Sequence, residues 1–244
     1  MKSSIGVFDS GVGGLTVLRE LKKRLPQKNF IYLGDTARVP WGNRGREVIK
    51  KFSLELTRFL TKRQIDYLVV ACHTASTVAL TEIKRETSVP VVGVMEPELK
   101  QNWEHDSRKV GLIGTAATVR LGNWRNVKAV ACPLLVPLVE EGWINRLVTS
   151  MVLQEYLTPL KKEKVEKLVL ACTHYPFLKE LISRIMGKEV ELINPGELAT
   201  ERLVRLIGQR SNGEGKTEWF FTDPNYRAIK VLLGDVKIKK VDVC

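Results

Sequence analysis

Short apolar runs rich in valine, isoleucine and leucine punctuate the chain at 5–8, 30–33, 67–71, 89–94, 110–113, 167–171 and 190–193. None alternates with polar positions. This is the pattern of strands buried on both faces of a parallel sheet. Between them the apolar residues take helical spacing. Leu15, Leu18, Leu21 and Leu25 share one stripe, and Val48, Phe52, Leu56, Phe59 and Leu60 share another. Strand and helix in alternation predict an α/β fold with right-handed crossovers. A polar stretch at 209–216 precedes a last apolar run at 218–222, which is expected to return to the first part of the chain.

The pattern occurs twice. Ile5-Gly6-Val7-Phe8-Asp9 resembles Val110-Gly111-Leu112-Ile113-Gly114, and Tyr67-Leu68-Val69-Val70-Ala71-Cys72 resembles Lys167-Leu168-Val169-Leu170-Ala171-Cys172. The segment at 89–98 resembles that at 190–199. The offsets are 105, 100 and 101 residues, in one order, which points to an internal duplication. The expected architecture is α/β, with two pseudo-symmetric parallel-sheet halves and the active site in the cleft between them. Residues 1–97 form the first half, joined by the C-terminal segment 212–244, and residues 98–211 form the second.

Composition narrows the class. With 244 residues and 44% hydrophobic content the chain can bury a sizeable core, which excludes a disordered or low-complexity protein. No apolar run reaches the roughly 18 residues that a membrane span needs, and no signal core precedes Ile5. Cys72, Cys132, Cys172 and Cys244 lie far apart without metal-finger spacing, so reduced thiols in the cytoplasm are expected. The net charge of +12 is spread over scattered lysines with no nucleic-acid motif beside them. It reads as a basic solvated surface, with neither nucleic acid nor membrane as a partner.

The duplication carries the chemistry. In open α/β sheets, ligands bind beyond the carboxyl ends of the strands. Cys72 and Cys172 each stand just past such an end, with Thr74 and Thr173 nearby to cap a following helix. Two halves that face one another would bring two thiols into one cleft, each near a helix N-terminus that favours thiolate. Asp9-Ser10-Gly11-Val12-Gly13-Gly14 opens a helix after the first strand but fails the dinucleotide fingerprint, whose third glycine would fall on Thr16. It reads better as a turn whose N–H groups cradle a carboxylate, with Asp9 as an amine partner or proton relay. His174, two residues from Cys172, can hold or relay that thiol's proton, and Glu140 or Glu141 can supply a further acid/base group. The Cys and His spacings fit no zinc site and Gly213–Thr217 fits no phosphate loop, so no cofactor is expected.

Together these residues resemble the glutamate racemases of the cofactor-independent aspartate/glutamate racemase superfamily. The carriers are Phe8-Asp9-Ser10-Gly11, Gly34-Asp35-Thr36-Ala37-Arg38-Val39-Pro40, Ala71-Cys72 with Thr74-Ala75-Ser76, Ile113-Gly114-Thr115, Val136-Pro137-Leu138-Val139-Glu140, Cys172-Thr173-His174-Tyr175-Pro176 and Phe220-Phe221-Thr222-Asp223. The resemblance implies interconversion of L- and D-glutamate, supplying D-glutamate for peptidoglycan, with no pyridoxal phosphate or metal. It makes Cys72 and Cys172 the two bases, with Asp9 assisting Cys72, and His174 with Glu140 assisting Cys172. The implied substrate contacts are Asp9, Ser10, Trp41, Gly42, His73, Thr74, Thr173 and His174, with Thr115 and Thr118 as helpers for the carboxylates. A homodimer is the expected assembly. The alternatives are a racemase for another acidic amino acid such as aspartate, and a catalytically weakened homologue with a binding or regulatory role.

Three departures from the family pattern stand out. His73 replaces an asparagine, and imidazole can change charge between about pH 5 and 8. Trp41-Gly42 replaces Tyr-Gly and loses a hydroxyl. The stretch 119–131 is short, which trims a helix of the second half and leaves Leu121 where the family usually has serine.

Overall fold

The computed structural model describes residues 4–208 and 214–243. The first half runs β1 (Ser4–Asp9), α1 (Leu15–Arg24), β2 (Asn29–Gly34), α2 (Arg46–Thr61), β3 (Tyr67–Val70), α3 (His73–Glu86), β4 (Val91–Gly93). Helix α4 (Pro97–Glu104) crosses to the second half. There follow β5 (Val110–Gly114), α5 (Ala116–Leu121), β6 (Val127–Ala131), α6 (Leu135–Glu140), α7 (Leu147–Lys162), β7 (Lys167–Ala171), α8 (Lys179–Met186), β8 (Glu191–Ile193) and α9 (Pro195–Ile207). The chain ends with β9 (Thr217–Phe221), α10 (Arg227–Leu233) and β10 (Ile238–Lys240).

All strand pairings are parallel. One sheet has the order β10-β9-β2-β1-β3-β4 and the other β6-β5-β7-β8. The core of the first, β2-β1-β3-β4, matches the second strand for strand, which is the duplication expressed as topology. The apolar run at 218–222 is β9, which pairs with β2 along Phe30–Gly34. The sequence boundary at 211–212 lies outside the described residues.

Burial follows the periodicities. Every residue of β5 is buried, and Leu15, Leu18, Leu21 and Leu25 line the inner face of α1. One apolar cluster joins Val7, Leu18 and Tyr32 of the first half to Leu112, Leu168 and Leu203 of the second, so the halves share a core through α1 and α9. Burial of this kind contributes about 25 cal/mol per Å² of apolar surface and fixes how the halves face each other. One expectation needs correcting, and two strands add to the pattern. The buried stripe of α2 is Ile49, Ser53, Leu56, Thr57 and Leu60, which leaves Val48 exposed. The stripe is rotated because Ser53 and Thr57 return their hydroxyls to the carbonyls of Ile49 and Ser53, which lets them be buried. Strands β6 and β10 were not expected. Both are edge strands, half-exposed and mixed with lysine, so neither shows a continuous apolar run.

Candidate active site

The carboxyl ends of the central strands open into a cavity of about 370 Å³ between the halves. Ser10, Gly42, Cys72 and Thr74 line it from one half, and Thr115, Glu140, Cys172 and His174 from the other. The register explains why two thiols meet here. Cys72 lies two residues beyond Val70, the last residue of β3, and Cys172 directly follows Ala171, the last of β7. β3 and β7 hold the same position in the two sheets.

The environments of the two thiols differ. Cys72 is itself the cap of α3, its sulfur accepting the Ala75 N–H at 3.5 Å and donating to Ser10 Oγ at 3.3 Å. Burial pushes this thiol up to about 12, with the Asp9 charge adding to the effect, so Cys72 is protonated at neutral pH. Asp9 is fully buried and burial raises its carboxyl; the His174 charge and the Gly14 and Gly11 amides oppose that rise. The glycine turn therefore does cradle a carboxylate, but it is that of Asp9: Gly11 N–H donates to Oδ2 at 3.0 Å.

Beside Cys172 stands His174, with Nδ1 3.8 Å from Sγ and Nε2 3.1 Å from Glu140 Oε1. Burial acts to lower the imidazole, yet the Cys172 sulfur and the Glu140 carboxylate outweigh it and raise His174 to about 10. The ring is cationic at neutral pH. A cation against Sγ compensates negative charge on that sulfur. Glu140 is held in turn by Tyr226, whose hydroxyl donates to Oε2 at 2.6 Å. The cavity thus sets a protonated thiol on one wall against a thiol paired with an imidazolium on the other.

Residues 5–203 match the family described as Asp/Glu/hydantoin racemase. The chain belongs to that family. It is 44% identical over 242 residues to the glutamate racemase of Aquifex pyrophilus, covering 94% of each chain. It superposes on the crystal structure of glutamate racemase from Thermus thermophilus in complex with β-chloro-D-alanine with a TM-score of 0.88 at 43% identity, over 98% of this chain and 97% of that one. The glutamate racemase of Francisella tularensis subsp. tularensis SCHU S4, in complex with D-glutamate, gives 0.86 at 29% identity, over 99% and 98%. The racemases are isomerases, and so is this member.

The two departures from the racemase pattern at the cavity have definite surroundings. Trp41 is buried, packs at a tilt against Phe52 with ring centroids 5.5 Å apart, and donates its indole N–H to Asp35 Oδ2 at 3.1 Å, so that donor is turned away from the cavity. Asp35 also accepts from Arg38 Nε at 2.7 Å and Thr222 at 2.9 Å, which ties the Trp41 loop to the end of β9. His73, the first residue of α3, is buried with neither ring nitrogen hydrogen-bonded. Burial, with the His174 charge adding, lowers it to about 3. It is therefore neutral throughout the range in which the sequence suggested a change of charge.

The threonines also act differently from their expected roles as helix caps. Thr74 Oγ1 meets Thr115 Oγ1 at 3.0 Å across the cleft, and Thr173 donates to Asp9 Oδ1 at 3.4 Å. Cys172 is followed by a 3-10 turn, Tyr175–Leu178, that leads into α8, and the Tyr175 hydroxyl donates to the Cys132 carbonyl at 2.9 Å. Thr118 has no accessible surface and contributes no wall to the cavity. Thr16, which broke the glycine fingerprint, donates to the Thr173 carbonyl at 2.9 Å and ties α1 to the second half. Glu141 also lines the cavity, half-exposed, and pairs there with Arg227 at 2.9 Å. Tyr226 was missed by the sequence reading. It lies 86 residues from Glu140 in a segment without a motif, and only the docking of α10 on α6 brings them together. Among the described residues no cluster of His, Cys, Asp and Glu suited to a metal ion occurs, and no helix is long and apolar enough to cross a membrane.

Proposed function

We propose that this chain is a glutamate racemase that works by two thiols. The observation that carries the reading is the placement of Cys72 and Cys172 at equivalent strand ends of duplicated halves, on opposite walls of one cavity. Mirror-image substrates call for a nearly mirror-related pair of bases, and the duplication supplies them. A Cys172 thiolate, balanced by the His174 cation, takes the α-proton from one face. The Cys72 thiol then gives its proton to the other face, and the roles reverse for the opposite enantiomer.

Asp9 is wholly buried behind the cavity wall, with its carboxylate accepting from the Gly11 N–H and the Thr173 hydroxyl, so it acts on the substrate's α-ammonium through its charge rather than by contact. A substrate cation in the cavity opposes the field that holds Cys72 protonated, so binding itself eases proton release from Cys72. The hydroxyls of Ser10, Thr74 and Thr115 suit the carboxylates, and His73, Trp41 and Gly42 shape the same wall through backbone and bulk. Cleavage and return of the α-proton leave atoms and charge balanced without a cofactor. The same reading makes the protein cytoplasmic, a source of D-glutamate for peptidoglycan and a homodimer. It treats 1–97 with 212–244, and 98–211, as the two units that close on the substrate. Purified protein, incubated with L-glutamate and no added cofactor, should bring the optical rotation to zero. An unchanged rotation contradicts the proposal.

A further inference from the structure

Glu140 is the last residue of α6 and lines the cavity. Both of its carboxylate oxygens are engaged. Oε1 accepts from His174 Nε2 at 3.1 Å, and Oε2 accepts from the Tyr226 hydroxyl at 2.6 Å. The last torsion of a glutamate side chain has a broad, two-fold preference, so a single hydrogen bond leaves the carboxylate plane free to turn. The second bond fixes that plane, and with it the oxygen that faces His174. Without it, the carboxylate is free to swing into the cavity and away from the imidazole.

The hydroxyl reaches Glu140 from the other half. Tyr226 stands between β9, which pairs with β2 in the first sheet, and α10. The turn before it is fastened to the first half: Thr36 Oγ1 donates to the Asp223 carbonyl at 2.7 Å and accepts the Asp223 N–H at 2.9 Å. After it, α10 buries Ala228, Ile229 and Leu232, and Arg19 of α1 donates to the Leu232 carbonyl at 2.8 Å. These ties fix where the phenol ends up, independently of Glu140.

The geometry points to Tyr226 as a positioning residue: its hydroxyl, carried by a segment anchored in the first half, pins the Glu140 carboxylate against His174 and so holds the acid/base pair behind Cys172 in the second half. Tyr226 acts through Glu140 rather than on the reacting proton. The inference rests on the reading of Cys172 as one of the two bases.

Tyr226→Phe keeps the ring and removes the hydroxyl. The rate at which iodoacetamide alkylates Cys172, located by peptide mass spectrometry, reports the imidazolium beside that sulfur without any turnover. At neutral pH it should slow about three- to tenfold in Tyr226→Phe, and kcat for both glutamate enantiomers should fall by a similar factor with KM within about twofold of wild type. In a Glu140→Gln background the added Tyr226→Phe should change either rate by less than about twofold, because the charge it positions is gone. Equal losses in both backgrounds, or wild-type rates in the single variant, overturn the inference. Damage to the fold would open the cavity and speed alkylation, at the buried Cys132 as well as at Cys172, and that result overturns it too. Wild type that turns over no glutamate, while Tyr226→Phe still slows alkylation of Cys172, contradicts the racemase reading alone.

Discussion

Glu140→Gln probes the acid/base pair on the Cys172 side with little change of shape. In the wild type the Glu140 carboxylate accepts from His174 Nε2 at 3.1 Å and from the Tyr226 hydroxyl at 2.6 Å. The amide removes the charge that, with the Cys172 sulfur, holds His174 up at about 10. A hydrogen bond to a charged group is worth about 1.5–3 kcal/mol, so kcat/KM should fall about ten- to hundredfold. It must fall equally for L- and D-glutamate, because enantiomers have the same free energy. The same energy corresponds to about one to two pH units, so the alkaline limb of the rate profile should move toward neutrality by that amount. The substrate's own ammonium titrates alike with both enzymes and drops out of the comparison. Stability has a defined sign too. His174 is raised above its unfolded value, so its contribution is complete below about pH 6.5 and is lost as pH rises toward about 10. Denaturant melts should therefore show the variant most destabilised at pH 6 and nearly equal to wild type above pH 10. Activity within twofold of wild type, with an unmoved alkaline limb, would refute the role given to His174 and Glu140.

His73→Asn should leave the shape of the pH–rate profile unchanged between about pH 5 and 8, since the buried imidazole stays neutral there. It should also reduce acid lability. A histidine lowered to about 3 stabilises the fold above about pH 6.5 and loses that contribution as pH falls, about 2 kcal/mol by pH 5, so denaturant melts at pH 7.5 and 5 should differ less in the variant. Gly13→Ala places a methyl 2.3 Å from Thr173 Oγ1 and 2.5 Å from the His174 ring, which forces the Cys172 loop to move. A displacement of about 1 Å should cost about a hundredfold in kcat/KM in a steady-state racemisation assay.

Much of the fold was legible because it rests on runs that are buried on both faces. β1, β3, β5 and β7 carry no polar residue on their inner stretches, and the duplication doubled the signal. β6 and β10 were silent for the opposite reason, since an edge strand with lysines needs no continuous apolar run. At the site, Cys72, Cys172, Asp9 and His174 could be read because each lies within a few residues of a strand end. The Tyr226 bond to Glu140, the pairing of Glu141 with Arg227 and the retreat of Thr118 behind the wall depend on how separate helices dock, which local pattern does not encode. The neutral state of His73 is likewise a property of its burial and of the charge on His174, 101 residues away in sequence.

The two-thiol account is tested most directly by the fate of the α-hydrogen in deuterated water at early conversion. Starting from L-glutamate, the first D-glutamate formed should carry deuterium at the α-carbon, because the proton it receives comes from the opposite thiol, which has exchanged with solvent. The L-glutamate still present should remain unlabelled, because the proton removed stays on the opposite face. Recovered L-glutamate labelled as fast as product forms, or D-glutamate that retains its original α-hydrogen, would show one base serving both faces and contradict the account.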